Sequence, residues 1–341
     1  MDHPALALTL LCQHNPPLLY RLLAAHPDPA AAWLARADWG LSGDPSAEVA
    51  RWRPWLARHG WQLMLSTDAG YPELLHSLPD APGMLFVQGN LQALSQPQLA
   101  IVGARSASPD GLRWARELAA GLAAAGFTVT SGLARGIDGA AHQGALAAGG
   151  TTVALMASGP QQIYPREHQA LARQLVERGG ALVTEFPPGV RPLRHHFPLR
   201  NRLISALSLG VVVVQALRAS GSLVTARHAA QQGRTVFAVP GVPGAPLSAG
   251  PHQLLREGAV LLESLDDIAA ELPDFQQLAA GASSLLETDT GVLALLAEGP
   301  RDFDQLLAVW QDGEAALADA LLEQELAGRV RRSTGRYQRI F

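Results

Sequence analysis

From residue 98 the chain alternates short apolar runs with longer amphipathic ones. Residues 99–102, 127–130, 152–156, 181–184, 210–214 and 235–239 are runs too short for helices. They read as strands buried on both faces. Between them, residues 112–125, 137–148 and 166–178 space their apolar side chains as helices do. Regular alternation of β and α elements at this spacing predicts a parallel, doubly wound sheet. Such sheets bind ligands at the carboxyl ends of their strands, where loops meet helix N-termini.

The flanking regions follow other patterns. Leu6, Leu8, Leu10 and Leu11, then Leu18, Leu19, Leu22 and Leu23, are broken by Asn15-Pro16-Pro17, so residues 1–65 read as a small helical domain. A Pro- and Gly-rich connecting segment spans 66–97, and an acidic, polar linker around Pro273 spans 266–285. Within 286–341, three helices (290–298, 302–310 and 314–327) precede a hairpin around Ser333-Thr334-Gly335, the order of a winged-helix domain. The predicted fold is therefore α/β: an extended Rossmann-like parallel sheet core at 98–265, a small N-terminal helical (SAM-like) domain and a C-terminal winged-helix domain.

Candidate functional residues cluster where the predicted strands end. They are Gly103 and Arg105 after the first, and Ser131, Gly132 and Arg135 after the second. Arg194, Phe197, Arg200, Asn201 and Arg202 follow the fourth, and Ser220 and Gly221 the fifth. Glycines let a backbone approach a ligand closely, and free N–H groups at helix starts attract anions. Several guanidiniums on one sheet edge make a phosphate track rather than a pocket for one charge. Phe197, set among prolines and arginines, suits stacking on an unpaired base.

Composition changes this picture in two ways. The net charge of −4 gives no sign of a polyanion partner, yet from Glu185 to Arg234 there are seven arginines and one acid. All 26 basic residues are arginine, which excludes a Walker lysine or a Schiff base. The single cysteine, Cys12, excludes an internal disulfide and fits a reducing compartment. With no secretory pattern and no apolar run near ~20 residues, the expectation is a cytoplasmic protein without membrane contact.

No catalytic set emerges. There is no G-x-G-x-x-G after the first strand, and no G-x-S-x-G or H-E-x-x-H. Asp138 with His142 imitates an acid–base pair, but an acid at a helix start more commonly accepts backbone hydrogen bonds. His195 and His196 are adjacent and point differently, so no metal is expected, and no cofactor. In the C-terminal region, 314–327 carries Glu314, Asp319, Glu323 and Glu325 without arginine, which phosphates would repel. The hairpin region has Arg329, Arg331, Arg332, Arg336 and Arg339.

Several blocks resemble the DprA/Smf family: Ile101-Val102-Gly103-Ala104-Arg105, Ser131-Gly132-Leu133-Ala134-Arg135-Gly136-Ile137-Asp138, and Tyr164-Pro165. So do Phe197-Pro198-Leu199-Arg200-Asn201-Arg202, Ser220-Gly221-Ser222 and Val239-Pro240-Gly241, in order over roughly residues 65–265. The resemblance implies a non-catalytic mediator that coats single-stranded DNA in natural transformation and loads RecA recombinase onto it. It also implies a homodimer, with a single-strand-binding protein as a further candidate partner. DNA contacts would fall on Gly103, Arg105, Arg166, Arg194 and Phe197, with Arg200 to Arg202 nearby. Arg166 and Arg194 stand where relatives often carry Lys, and Ala104 where a Ser is common. A dimer contact would fall near His252 to Leu262, where Leu254, Leu255, Leu261 and Leu262 fit ordinary core at least as well as an apolar surface patch. The alternative is a nucleotide phosphoribohydrolase on a related sheet, but its P-G-G-x-G-T-x-x-E motif has only Ser220 to Ala226 as a counterpart, with no Glu following.

Overall fold

The computed structural model describes residues 3–12, 15–272, 292–296, 299–310, 313–326, 330–333 and 335–339. They form two compact units, residues 1–276 and 277–341.

The first unit is built on one sheet. Its strands are β1 (Trp61–Leu65), β2 (Met84–Gly89), β3 (Gln98–Val102), β4 (Thr128–Ser131), β5 (Thr152–Leu155), β6 (Ala181–Thr184), β7 (Gly210–Val213), β8 (Thr235–Ala238) and β9 (Val260–Leu261). Their order across the sheet is β1-β2-β6-β5-β4-β3-β7-β8-β9. From β6 to β9 every pairing is parallel. The chain winds outward from β3 through β4 and β5 to β6, then returns to β7 on the other side of β3. That places the reversal of strand order between β3 and β7, where doubly wound sheets open a crevice. The central strands are buried along their whole length. That explains why they were legible as uninterrupted apolar runs.

Two strands lie ahead of the region where the alternation becomes regular. β1 and β2 pair antiparallel with each other, and β2 pairs antiparallel with β6. The segment read as a connector therefore carries a sheet strand, and the hairpin widens the parallel sheet on one side. The helices α1 (Pro4–Leu11), α2 (Pro16–Ala25), α3 (Pro29–Ala35) and α4 (Ser46–Arg58) pack over it. Three of them begin with proline, whose fixed φ and missing N–H suit a first turn. Leu6, Leu8, Leu22, Leu23 and Leu56 share one apolar cluster with Phe86 of β2, Ala154 of β5 and Leu182 of β6. The N-terminal helices thus share a core with one face of the sheet.

The remaining helices position the strand-end loops. α5 (Glu73–His76) precedes β2, and α6 (Pro109–Ala124) follows β3. The Ser108 side chain caps α6 by accepting from the Gly111 N–H at 3.1 Å. α7 (Ile137–Ala147) follows β4, α8 (Gln169–Glu177) precedes β6, and α9 (His196–Ala206) lies between β6 and β7. α10 (Gly221–Gln231) follows β7, and α11 (Ala249–Arg256) follows β8. α12 (Leu265–Glu271) starts with a capping box built by Ser264 and Asp267, and occupies residues that the polarity of the segment suggested were linker.

In the second unit, helices Val292–Leu295, Phe303–Leu307 and Glu314–Leu326 accompany a three-stranded antiparallel sheet. Its strands, Arg301–Asp302, Arg336–Arg339 and Val330–Ser333, lie in that spatial order. Leu293, Leu306, Leu317, Leu321, Val330 and Tyr337 form its core. Residues 273–285 of the predicted linker, and Arg329 of the predicted wing, lie outside the described residues.

Candidate functional site

A cavity of about 170 Å³ opens at the carboxyl edge of the parallel sheet, at the β3/β7 crossover. Gly103, Arg105, Phe197, Arg200, Asn201, Ser220 and Gly221, all singled out in the sequence, line it. Val102, Ala134, Asp138, Ile204, Ser222 and Thr225 complete the wall.

Backbone geometry makes the cavity. A Cβ on Gly103 would lie 2.6 Å from Ile137 Cγ1, so only glycine lets α7 pack against the first strand-end loop. The second loop turns sharply: Leu133 has φ 57° and Gly136 has φ 74°. A Cβ on Gly136 would fall 2.2 Å from the Ala104 carbonyl oxygen. The Ser220 hydroxyl accepts from the Ser222 N–H at 3.3 Å and lies 2.7 Å from the Ser222 hydroxyl, holding the start of α10.

Three charged groups set the electrostatics. Arg200 is buried, and desolvation pulls it down to about 10. Its guanidinium donates to the carbonyls of Gly132 (2.6 Å) and Leu155, and Nε donates to Asn201 Oδ1 at 3.2 Å. Asp138 faces it across Gly132, where a Cβ would lie 2.7 Å from either side chain. As expected for an acid at a helix start, the Asp138 carboxylate accepts from the backbone N–H groups of Gly132 and Ala134, at 3.2 and 3.4 Å. Burial raises its pKa, against the pull of Arg200. Arg105 is the exposed cation at the mouth, its guanidinium carbon 4.9 Å from the centre of the Phe197 ring. Tyr164 meets the same ring edge-on at 5.8 Å. Sequence periodicity gave no signal for the contact of Tyr164 with Phe197.

Other predicted residues take different places. The Ser131 hydroxyl is buried and donates to the Ile101 carbonyl at 2.6 Å, which commits it to the sheet. Arg135 is exposed but forms a two-pronged ion pair with Glu167, one prong at 2.6 Å, so it is not a free cation. Arg202 corrects the expectation of an open arginine row. It is buried, lying 2.5 Å from Glu185 and 3.0 Å from Asp80. Two residues along a helix are about 200° apart, so Arg202 points away from the cavity that Arg200 faces. Arg166 and Arg194 are exposed and do not line the cavity.

The residues expected at a dimer contact divide too. Leu254 and Leu262 are buried, so these two are core side chains rather than a surface patch, and Leu255 is half-buried against the core. Leu261, on the edge strand β9, is 44% exposed. His252 is half-buried, with Nε2 3.0 Å from the Gly241 carbonyl oxygen.

His142, which with Asp138 imitates an acid–base pair in sequence, is fully buried. Thr152 donates its hydroxyl to the Val129 carbonyl, so His142 Nδ1–H donates to Thr152 Oγ1 at 2.6 Å. Burial holds its pKa down at about 3, and the ring is neutral. Among the described residues, no three His, Cys, Asp or Glu side chains gather as metal ligands, and no helix is long and apolar enough to cross a membrane.

A doubly wound sheet with an arginine-lined crevice at its crossover defines a Rossmann-type fold with a strand-end cleft where such sheets bind ligands. The chain belongs to the DNA recombination-mediator protein A family, whose model matches residues 62–273. Protein Smf of Escherichia coli is 44% identical over 307 residues, covering 84% of this chain and 79% of that protein. DNA processing protein DprA of Bacillus subtilis is 37% identical over 291 residues, covering 80% of this chain and 97% of that protein. The X-ray structure of DNA processing protein A from Streptococcus pneumoniae aligns with a TM-score of 0.60 at 37% identity, covering 69% of this chain and 85% of that one. A structure of DNA processing protein A from Helicobacter pylori, described for its single-stranded DNA binding mode, aligns with a TM-score of 0.57 at 28% identity, covering 63% of this chain and 96% of that one.

Proposed function

We propose that this chain binds single-stranded DNA along the carboxyl edge of its parallel sheet and mediates recombination of incoming DNA in transformation by loading RecA recombinase onto the bound strand. One observation carries the reading. An exposed guanidinium, Arg105, stands over a half-exposed ring, Phe197, at the mouth of a cavity floored by Arg200. A phosphate needs the first and an unpaired base the second. The names of the relatives and the single-stranded DNA binding mode of the Helicobacter pylori protein point the same way. Arg166 and Arg194 extend the track beyond the cavity. We assign no reaction to the chain: Asp138, the one carboxylate lining the cavity, is engaged by two backbone N–H groups. The second unit we read as a winged helix serving protein contacts, and self-association we assign to the β9 edge, through Leu261 and His252.

Titration of fluorescent single-stranded and duplex oligonucleotides across several salt concentrations tests this. The protein favours the single strand, and its affinity falls steeply with salt. Phe197→Ala weakens binding by about 1–3 kcal/mol, the worth of one stacked base. Arg105→Ala weakens it and makes the salt slope shallower by about 0.7. Unchanged affinity in both variants removes the cavity from the binding surface.

A further inference from the structure

The N-terminal helix α4 carries the run Arg51-Trp52-Arg53-Pro54-Trp55-Leu56-Ala57-Arg58, which the cavity does not use. Val49 and Leu56 anchor the helix in the core, and Trp52 and Trp55 are half-buried against the same apolar cluster. Arg51 and Arg58 are exposed. Positions 51, 55 and 58 fall on one face of a helix, with 52 at its border. Both indoles already hold planar polar groups: the Arg51 guanidinium lies 4.4 Å from the Trp52 ring centre, and the His59 ring stacks on Trp55 at 4.1 Å and 19°. Arg53 lies apart, acting electrostatically on His3. Glu48, the helix's acid, sits exposed in its first turn at the positive end of the helix dipole, three residues before Arg51 on the same face.

This face adjoins the site through a single loop. The chain between β6 and α9 passes Trp52 at Gly189, where a Cβ would lie 3.5 Å from Trp52 Cζ2. The same loop then carries the exposed Arg191 and Arg194 up to Phe197. From the indole contact at Gly189 the chain therefore runs through arginine, arginine and phenylalanine.

We propose that the Arg51–Trp52–Trp55–Arg58 face of α4 is a second contact for the DNA strand leaving the Phe197 cavity, reached across Arg191 and Arg194. The inference rests on the single-strand reading of the cavity and extends it into the N-terminal helices. Two features favour a nucleic acid over a lipid surface. A helix lying in a membrane presents a free apolar face, whereas the apolar side of α4 is spent in the core. What remains outward on this face is two arginines beside aromatic edges with Glu48 as its one acid, and arginine beside aromatic is the pairing that grips single strands of any sequence.

The test compares the full-length protein with Arg51→Glu/Arg58→Glu on oligothymidylates of about 6 and about 30 nucleotides, and on vesicles of anionic phospholipid. Both substituted side chains are exposed, so the fold is retained. The variant is expected to match wild type on the short oligomer and lose about tenfold on the long one. Its salt slope on the long oligomer becomes shallower by about 1.4, or 0.7 for each lost phosphate contact. Arg51→Lys/Arg58→Lys restores most of the long-oligomer affinity. Equal affinity of the Glu variant and wild type for the long oligomer overturns the extension and leaves the cavity reading standing. A loss seen only on vesicles overturns it in favour of a membrane. Failure of wild type to bind either oligomer overturns both readings together.

Discussion

Arg200 and Arg202 occupy one helix and have opposite consequences. The first is held by carbonyl oxygens against the cavity, and the second is sealed between Asp80 and Glu185. Removing Arg202 takes from the buried Glu185 carboxyl its ion-pair partner, where no water replaces it. Arg202→Ala should therefore cost about 3–5 kcal/mol in urea denaturation, whereas Arg105→Ala, at an exposed position, should leave the urea midpoint almost unchanged. Glu185 adds a pH dependence. Burial lifts its pKa from 4.5 to about 7, against the pull of Arg202. A carboxyl whose folded pKa is raised binds its proton more tightly in the native state, so its stabilising share is complete below pH 4.5 and is lost as pH rises through about 7. Glu185→Gln should remove that decline, seen as a flatter plot of unfolding free energy against pH across this window.

At the scale of elements, the loops carry the constraints and the strands carry the legibility. Apolar runs buried along their whole length, β3 to β7, or over their second half, β8, read directly as strands from hydrophobicity alone. β2 did not: it pairs antiparallel among prolines and glycines. Two residues of β9 give no period to detect. Most of the cavity was legible because glycines and arginines gathered at strand ends. The fates of Arg135 and Arg202 were not, because they depend on Glu167, Asp80 and Glu185, which are close only in the folded chain. Leu254 stayed open between patch and core for a related reason: an apolar residue on a short helix reads alike as either, and here it is buried. The turn ending at Gly136 is where one atom matters most. Gly136→Ala adds a positive-φ penalty and a clash with the Ala104 carbonyl, and should cost at least about 2 kcal/mol, measured as a lower melting temperature.

Across the whole molecule, the cavity belongs to the first unit, and the second unit has its own core. Its helix Glu314–Leu326 carries four acids and no arginine. A protein lacking residues 286–341 should therefore keep single-strand affinity within about twofold at moderate salt, and a larger loss would assign strand contacts to that unit. The crossover at β3 and β7 has a temporal consequence as well. Val102 and Gly103 emerge from the ribosome well before Ser220, Gly221 and Thr225, which wall the opposite side of the same cavity. A nascent chain that has completed β3 to β6 and even α9 still has only half a cleft. The cavity closes only when α10 docks, so a chain stalled or cut before that point carries Arg105, Phe197 and Arg200 without the opposite wall.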